Sequence, residues 1–387
     1  MQMDFDFNDS IKKTINSVSS KFDVKYWRDV CGRKTFPKEY WDELAKSGLF
    51  GILIGKRWGG MEKGLLDLVL AVEETARRYA GIGSYLYLSG SVVSTIFSTS
   101  GSSEQKDEFL PKLAKGELKV SIALGEEASG FDATSMETKA SKVSEDEFVI
   151  SGSKAFVNNL DLADYLILFA RTTEVEKSGK KSLGISMFVV DAKNPAIRAT
   201  KLEKLGWDFI NNFMIKIDGL RVKKSQALGE LGRGWYNAVQ SFNMDRVATS
   251  ASLVGTGRLS LDQASSWAKE RTVFGKIIGS NQGIQFPLAQ AFAELETARI
   301  MTLKAASLAD LGKSYVNEAN YSLLTSSNAA MNATDRALQT FGGHGYYREY
   351  DVERHWRDVR AHKIHPISEE LLLATISERS LGLPKSY

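Results

Sequence analysis

The chain has 387 residues, too many for one ordinary core, so two or three domains are expected. Hydrophobic residues make up 43% and charged residues 25%, the range of soluble globular proteins, and a net charge of +3 gives nucleic-acid binding no support. The single cysteine, Cys31, excludes an internal disulfide and reads as a buried small residue. No apolar run reaches membrane-spanning length and Met1 is followed by the polar, acidic QMDFDFNDS, so no secretory signal and a cytoplasmic location are expected.

Residues 1–118 read as a helical domain. Pro37 opens a helix with Trp41, Leu44 and Ala45 on one face, and Gly48 closes it. A turn is expected at Trp58-Gly59-Gly60. The stretch Leu65 to Tyr79 is helical, with Leu68, Val72 and Thr75 on one face. Its Glu73 and Glu74 read as solvated or capping acids. Near Lys119 the apolar period changes from helical to alternating. Residues 119–230 therefore form a β domain, with strands at Phe148–Ile150, Tyr165–Phe169, Ile185–Val190 and Phe213–Ile217. Phe213, Ile215 and Ile217 alternate with Met214 and Lys216, so that strand has one wet face. Glu174 to Lys181 reads as a charged hairpin loop.

From Gly234 the helical period returns, and residues 231–387 form a helical bundle. Leu288, Phe292 and Leu295, at i, i+4 and i+7, mark one long helix. Ser368 caps the last helix, with Glu369 and Glu370 in its first turn, and Gly382 and Pro384 end it. All four histidines lie between His344 and His365. His362 and His365 have HxxH spacing, but no cysteine or nearby carboxylate completes a metal pattern, so no metal is expected. Before the last helix comes LQTFGGHGYYREYDVE (Leu338 to Glu353). Paired glycines at a helix end are a common C-cap, and they also let a backbone approach a phosphate or a flat ligand edge.

Four phrases in order carry a resemblance. They are SIALGEEASGFDATSMETKA (Ser121 to Ala140), GSKAFVNNLDLADYLILFART (Gly152 to Thr172), ERTVFGKIIGSNQGIQ (Glu270 to Gln285) and QTFGGHGYYREYDVERHWRD (Gln339 to Asp358). Together, on a helical–β–helical frame, they resemble the acyl-CoA dehydrogenase family of flavoproteins over nearly the whole chain. The resemblance implies a mainly α fold with a central β-barrel-like domain and a C-terminal four-helix bundle. It also implies a homodimer or homotetramer with one FAD per subunit. The implied reaction removes two hydrogens across Cα–Cβ of an acyl-CoA thioester and passes electrons to an electron-transfer flavoprotein.

The resemblance also implies roles for residues. The phrase from Leu124 to Asp132 lines the flavin ring and diphosphate. Gly130 and Asp132 match, but Gly125 replaces a threonine and Phe131 a serine, which leaves backbone amides to serve. Phe156 matches the aromatic residue against the flavin, and Asn158 stands where a hydroxyl residue often meets flavin N5. Arg271 and Phe274 match the pair that reaches a neighbouring subunit's FAD, and an arginine fork suits a diphosphate. Gln282, Gln339, Gly342 and Gly343 match the adenine and diphosphate contacts made across that interface.

The reaction needs a base for a weakly acidic α-proton. Family members commonly carry a glutamate just before the last helix. Aligned through Ser368-Glu369, that position is His365, whose backbone N–H is expected to face the thioester oxygen; Pro366 has no N–H. Others carry the base on an earlier bundle helix before an arginine. Here that stretch is Phe242-Asn243-Met244-Asp245-Arg246, which makes Asp245 the candidate base and Arg246 a candidate substrate contact. Its competing reading is an Asp245–Arg246 ion pair. Glu369, which the resemblance also places at the flavin site, Glu370 and His365 are the rivals, with first-turn helix acids the simpler reading of the two glutamates. The leading expectation is an FAD-dependent acyl-CoA dehydrogenase. The alternatives are a flavin-dependent monooxygenase and a non-catalytic flavin- or CoA-binding relative.

Overall fold

The structure is a computed structural model that describes residues 9–79 and 81–386. Six helices come first: α1 (Asp9–Ser19), α2 (Val24–Arg33), α3 (Lys38–Ser47), α4 (Leu65–Tyr79), α5 (Gly81–Ser100) and α6 (Ser103–Ala114). Pro37 precedes α3, and Gly48 ends it in the left-handed conformation at φ 77°, as expected. On α4, Leu68, Val72 and Thr75 are buried, and the Tyr87 hydroxyl of α5 donates to Thr75 Oγ1 at 2.8 Å. Cys31 is partly buried, and burial pushes its thiol up to about 12.

Seven strands follow: β1 (Val120–Ala123), β2 (Lys139–Lys142), β3 (Glu147–Asn158), β4 (Tyr165–Arg171), β5 (Ile185–Asp191), β6 (Ile197–Leu202) and β7 (Asn212–Lys223). They form one curled sheet in the order β1-β4-β2-β3-β7-β6, with β5 on β4. Pairing is antiparallel except where β4 meets β1 and β2. Phe148, Ile150, Leu166, Phe188, Ile215 and Val222 fill its interior, and β7 shows the expected alternation. The edge strand β6 is largely exposed and carries Arg198 and Lys201, charges that discourage edge-to-edge pairing. The expected charged loop at Glu174–Lys181 contains one helical turn, α7 (Val175–Ser178).

The bundle consists of α8 (Gly234–Glu270), α9 (Gln282–Asp310), α10 (Val316–Phe341), α11 (Val352–Arg360) and α12 (Glu369–Leu381). A small hairpin, β8 (Thr272–Val273) with β9 (Lys276–Ile277), interrupts it between α8 and α9. Helix α8 packs on α4, α5, α9 and α10, so it joins the helical N-terminal part to the bundle. Small residues permit this: a Cβ on Gly255 would lie 2.4 Å from the Glu73 carbonyl of α4.

Leu288, Phe292 and Leu295 lie in one long helix, α9, as expected, with Leu295 buried and the half-exposed Phe292 ring under the Arg258 guanidinium at 4.3 Å. One expectation fails here: Glu73 is not a solvated acid. It is half-buried and paired with Arg299 of α9 at 2.6 Å, because α4 packs closely against α8 and α9. Glu74, by contrast, pairs with Arg78 on its own helix. Among the described residues no helix is long and apolar enough to cross a membrane.

Candidate active site

Asp245 sits on α8 where that helix faces α5 and the sheet. The side chain is half-buried, and Thr249 Oγ1 donates to its Oδ1 at 3.3 Å. Burial pushes its carboxyl up to about 6, against the Thr249 hydrogen bond and the Arg246 charge. The Arg246 guanidinium turns instead to Asn243 Oδ1 at 2.7 Å, and no ion pair joins it to Asp245.

A hydroxyl from α5 meets this region. Tyr85 accepts a hydrogen bond from Asn158 Nδ2 at 2.9 Å, and Asp245 acts on the same hydroxyl as a nearby charge. Asn158 Oδ1 in turn accepts from Asn212 Nδ2 at 2.5 Å, and the Asn158 carbonyl accepts from Ser121 Oγ at 2.7 Å. Two residues earlier on β3, Phe156 has φ 59° and is 65% exposed. A positive φ in a bulky residue is strained and turns its ring out of the sheet.

The Tyr85 ring lies 5.3 Å from Trp207, and Trp207 lies 5.3 Å from His362. Asp358 of α11 fixes Trp207: its carboxylate accepts from the Trp207 N–H at 2.6 Å and its carbonyl from the indole N–H at 2.9 Å. His365 follows, with its ring 6.3 Å from that of His362. Its expected role as a backbone donor is corrected: the His365 N–H is spent on the Ala361 carbonyl at 2.8 Å, because the helical turn continues through residue 364. The His362–His365 pair forms no metal site; among the described residues no group of three metal-ligating side chains occurs. His362 Nδ1 instead lies 3.1 Å from the His365 carbonyl, and burial pushes its pKa down to about 3.

Glu369 lies in the first turn of α12, where Ser368 Oγ accepts from the Leu371 N–H at 3.3 Å. Glu369 forms an ion pair with Lys363 and accepts from Asn328 Nδ2 at 3.3 Å. The Lys363 hydrogen bond holds its carboxyl below the usual range, which makes it a poor base. With Phe131, Arg360, Lys363, Ile364, Ser368 and Glu370 it lines a cavity of about 290 Å³. Phe131 is 49% exposed.

The loop that carries Leu124, Gly125, Gly130 and Phe131 is anchored from beneath. Lys154 Nζ bonds Glu126 Oε1 at 2.7 Å and the Leu124 carbonyl at 3.0 Å, and the Ala155 N–H donates to the Gly125 carbonyl at 2.8 Å. Glu126 also accepts the N–H groups of Glu137 and Thr138, which closes the loop on itself. Gly130 has φ 53°, with open space where a Cβ would stand.

Arg271, Phe274, Gln282, Gln339, Gly342 and Gly343 gather at one end of the bundle, and all are exposed. Beneath them Trp267 stacks on Phe341 at 4.8 Å, beside His344 and Tyr350. Gly342 caps α10 with φ 59° and donates to the Gln339 carbonyl. Phe274 is fully exposed at the hairpin tip. No hydrogen bond, ion pair or ring contact joins this group to the Asp245 region among the described residues.

Sequence reasoning missed Tyr85, Asn212 and Trp207, which carry no motif. Glu126 and Lys154 lay inside two of the quoted phrases, and a buried partner is the signal that separates them from surface charges.

Three domain models match in order: acyl-CoA dehydrogenase N-terminal domain over residues 8–117, middle domain over 121–220 and C-terminal domain over 232–381. The chain is 31% identical to acyl-CoA dehydrogenase FadE12 of Mycobacterium tuberculosis, covering 98% of this chain and 97% of that one. It is 33% identical to the caffeyl-CoA reductase-Etf complex subunit CarC of Acetobacterium woodii, covering 88% and 89%. The butyryl-CoA dehydrogenase of Megasphaera elsdenii superposes with a TM-score of 0.91 at 29% identity, covering 98% of this chain and 100% of that one. The cofactor of these enzymes is FAD. The residues here fit it: outward aromatic rings at Phe131 and Phe156 and an open glycine at 130. With its helical, curled-sheet and bundle parts in that order, the chain belongs to the acyl-CoA dehydrogenase family of FAD-dependent flavoproteins.

Proposed function

We propose that this protein is an acyl-CoA dehydrogenase in which Asp245 removes the Cα proton of an acyl-CoA thioester. The observation that carries this reading is the state of Asp245: half-buried, unpaired with Arg246, its pKa raised to about 6, beside the Tyr85–Asn158 contact. A base is effective when its pKa lies near the working pH, and a raised carboxylate meets that condition. When bound, FAD supplies the acceptor for the hydride that leaves Cβ. Phe156 and the amides of the 124–131 loop hold the ring, and Asn158 offers an amide hydrogen at its edge. Arg246 lies next to the base as a substrate contact, and His365 is the second candidate for proton transfer. The residues serve the reaction in either direction, and a relative named as a reductase fits that symmetry.

The exposed set from Arg271 to Gly343 supports a homodimer or homotetramer in which it contacts a neighbouring subunit's FAD. We take residues 1–118, 119–230 and 231–387 as the three domains, electron-transfer flavoprotein as the electron acceptor, and the cytoplasm as the location.

The test is anaerobic mixing of the purified holoprotein with short, branched, long and aryl acyl-CoAs while flavin absorbance is followed, beside Asp245→Ala with its FAD content checked. Bleaching in the parent protein that is lost in the variant supports the reading. Bleaching unaffected by the substitution moves the base to His365. No bleaching with any thioester sinks the dehydrogenase reading.

A further inference from the structure

The contact between Tyr85 and Asn158 joins parts of the chain far apart in sequence, and both ends of the Asn158 amide are occupied. Oδ1 accepts from Asn212 at 2.5 Å, and one Nδ2 hydrogen goes to the Tyr85 hydroxyl at 2.9 Å. A side-chain amide is planar with two hydrogens, so fixing Oδ1 and one hydrogen fixes the direction of the other. An amide without such partners can turn over, and it then presents an oxygen where it had presented a donor.

We propose that Tyr85 is a positioning residue: it holds the Asn158 amide so that its second hydrogen points at the flavin edge of the active site. This rests on the placement of Asn158 beside the ring given above. Three observations support it. Tyr85 is itself fixed, with Trp207 at 5.3 Å and Phe209 at 6.4 Å against its ring. Its hydroxyl hydrogen has no acceptor among the described residues, while Asp245 is the charged group that acts on it. A negative carboxylate turns the O–H dipole towards itself, so the oxygen lone pairs are left to face Asn158. The base thereby favours the amide orientation in which Asn158 is a donor. Asn212 completes the clamp from β7, since a reversed amide would set two NH₂ groups against each other.

The experiment uses FAD-loaded protein and needs no thioester. Tyr85→Phe, Asn158→Ala and the double variant are poised with reference dyes of known potential, and the ratio of oxidised to reduced flavin is read from absorbance. Each single substitution should change that ratio by roughly two- to tenfold at the parent midpoint, the size of one net hydrogen bond. The double variant should show no more than the larger single effect, because one interaction is removed in two ways. Asn212→Ala, which frees Oδ1, should move the ratio in the same direction and serves if Tyr85→Phe loses its flavin. A shift in Asn158→Ala without one in Tyr85→Phe or Asn212→Ala overturns the proposal, as do two fully additive shifts. No shift in any variant also overturns it, since Asn158 then does not face the ring. Parent protein that no thioester bleaches, yet with these shifts intact, would remove the dehydrogenase reading and leave Tyr85 in its role.

Discussion

Lys154 Nζ lies 2.7 Å from Glu126 Oε1, with the lysine fully buried and the glutamate 4% exposed. Strand β3 thereby grips the loop that carries Gly125, Gly130 and Phe131. Burial pushes the lysine down to about 8, and the glutamate opposes that shift. Removing one partner leaves an uncompensated charge, which costs about 3–5 kcal/mol. Lys154→Met should therefore lower the free energy of unfolding by that amount in denaturant titrations, and FAD should dissociate more readily. Lys154→Met combined with Glu126→Leu should recover much of the stability. A single variant as stable as its parent would show that the pair is not a joint of this loop.

The Asp245 carboxyl has a usual value of 3.8 and is raised to about 6 in the folded chain. The folded state therefore binds the proton more tightly than the unfolded one. The stabilising contribution is fully present below about pH 4 and is lost as pH rises through about 6, a change of at most about 3 kcal/mol. Asp245→Asn should be more stable than the parent at pH 8 by up to that amount, with the difference vanishing near pH 4. Thermal melts of the two proteins across that range decide it. The proton-abstraction rate should run the other way, rising with pH to a plateau above about 6.

Gly255 of α8 lies hard against α4, with a substituted Cβ 2.4 Å from the Glu73 carbonyl and 2.8 Å from Ala76 Cβ. Gly255→Ala gains helix propensity but forces the helices apart, and overpacking costs about 1–3 kcal/mol. A lower melting temperature is expected, together with weaker protection of α4 amides in hydrogen exchange. An unchanged melt would mean that α4 can retreat without loss.

Phe274 stands fully exposed at the tip of the β8–β9 hairpin, with φ 51°. If it covers a neighbouring subunit's cofactor, Phe274→Asp should shift the protein towards smaller species in sedimentation and lower the FAD retained on gel filtration. A folded monomer with full FAD would separate the two events and overturn the shared site.

Much of this fold was legible because periodicity reports burial. Helix α4 begins and ends at the residues its pattern picked, and the four strands read from alternation lie within β3, β4, β5 and β7. The exceptions share a cause. Glu73 was assigned by residue type, but the packing of α4 against α8 and α9 decides which of its acids is covered. Asp245 was picked out by the phrase around it, an acid before an arginine on that helix, but its burial and raised carboxyl depend on neighbours that the phrase does not contain. Tyr85 was not, because α5 reads GIGSYLYLSGS, apolar and hydroxyl residues mixed without a stripe. Its contact forms only where α5 meets Asn158. The commitment of the His365 N–H to Ala361 was not legible either, since it comes from a turn that no residue type announces.

Tyr85, Asn158 and Asp245 come from a helix of the N-terminal part, the last residue of β3 and the longest bundle helix. Chimeras made with a relative at the two joins of the chain would inherit complete folding units and still exchange one member of this trio for a stranger. Such hybrids should fold, take up flavin and turn over poorly, and restoring the matching residue at position 85, 158 or 245 should repair them.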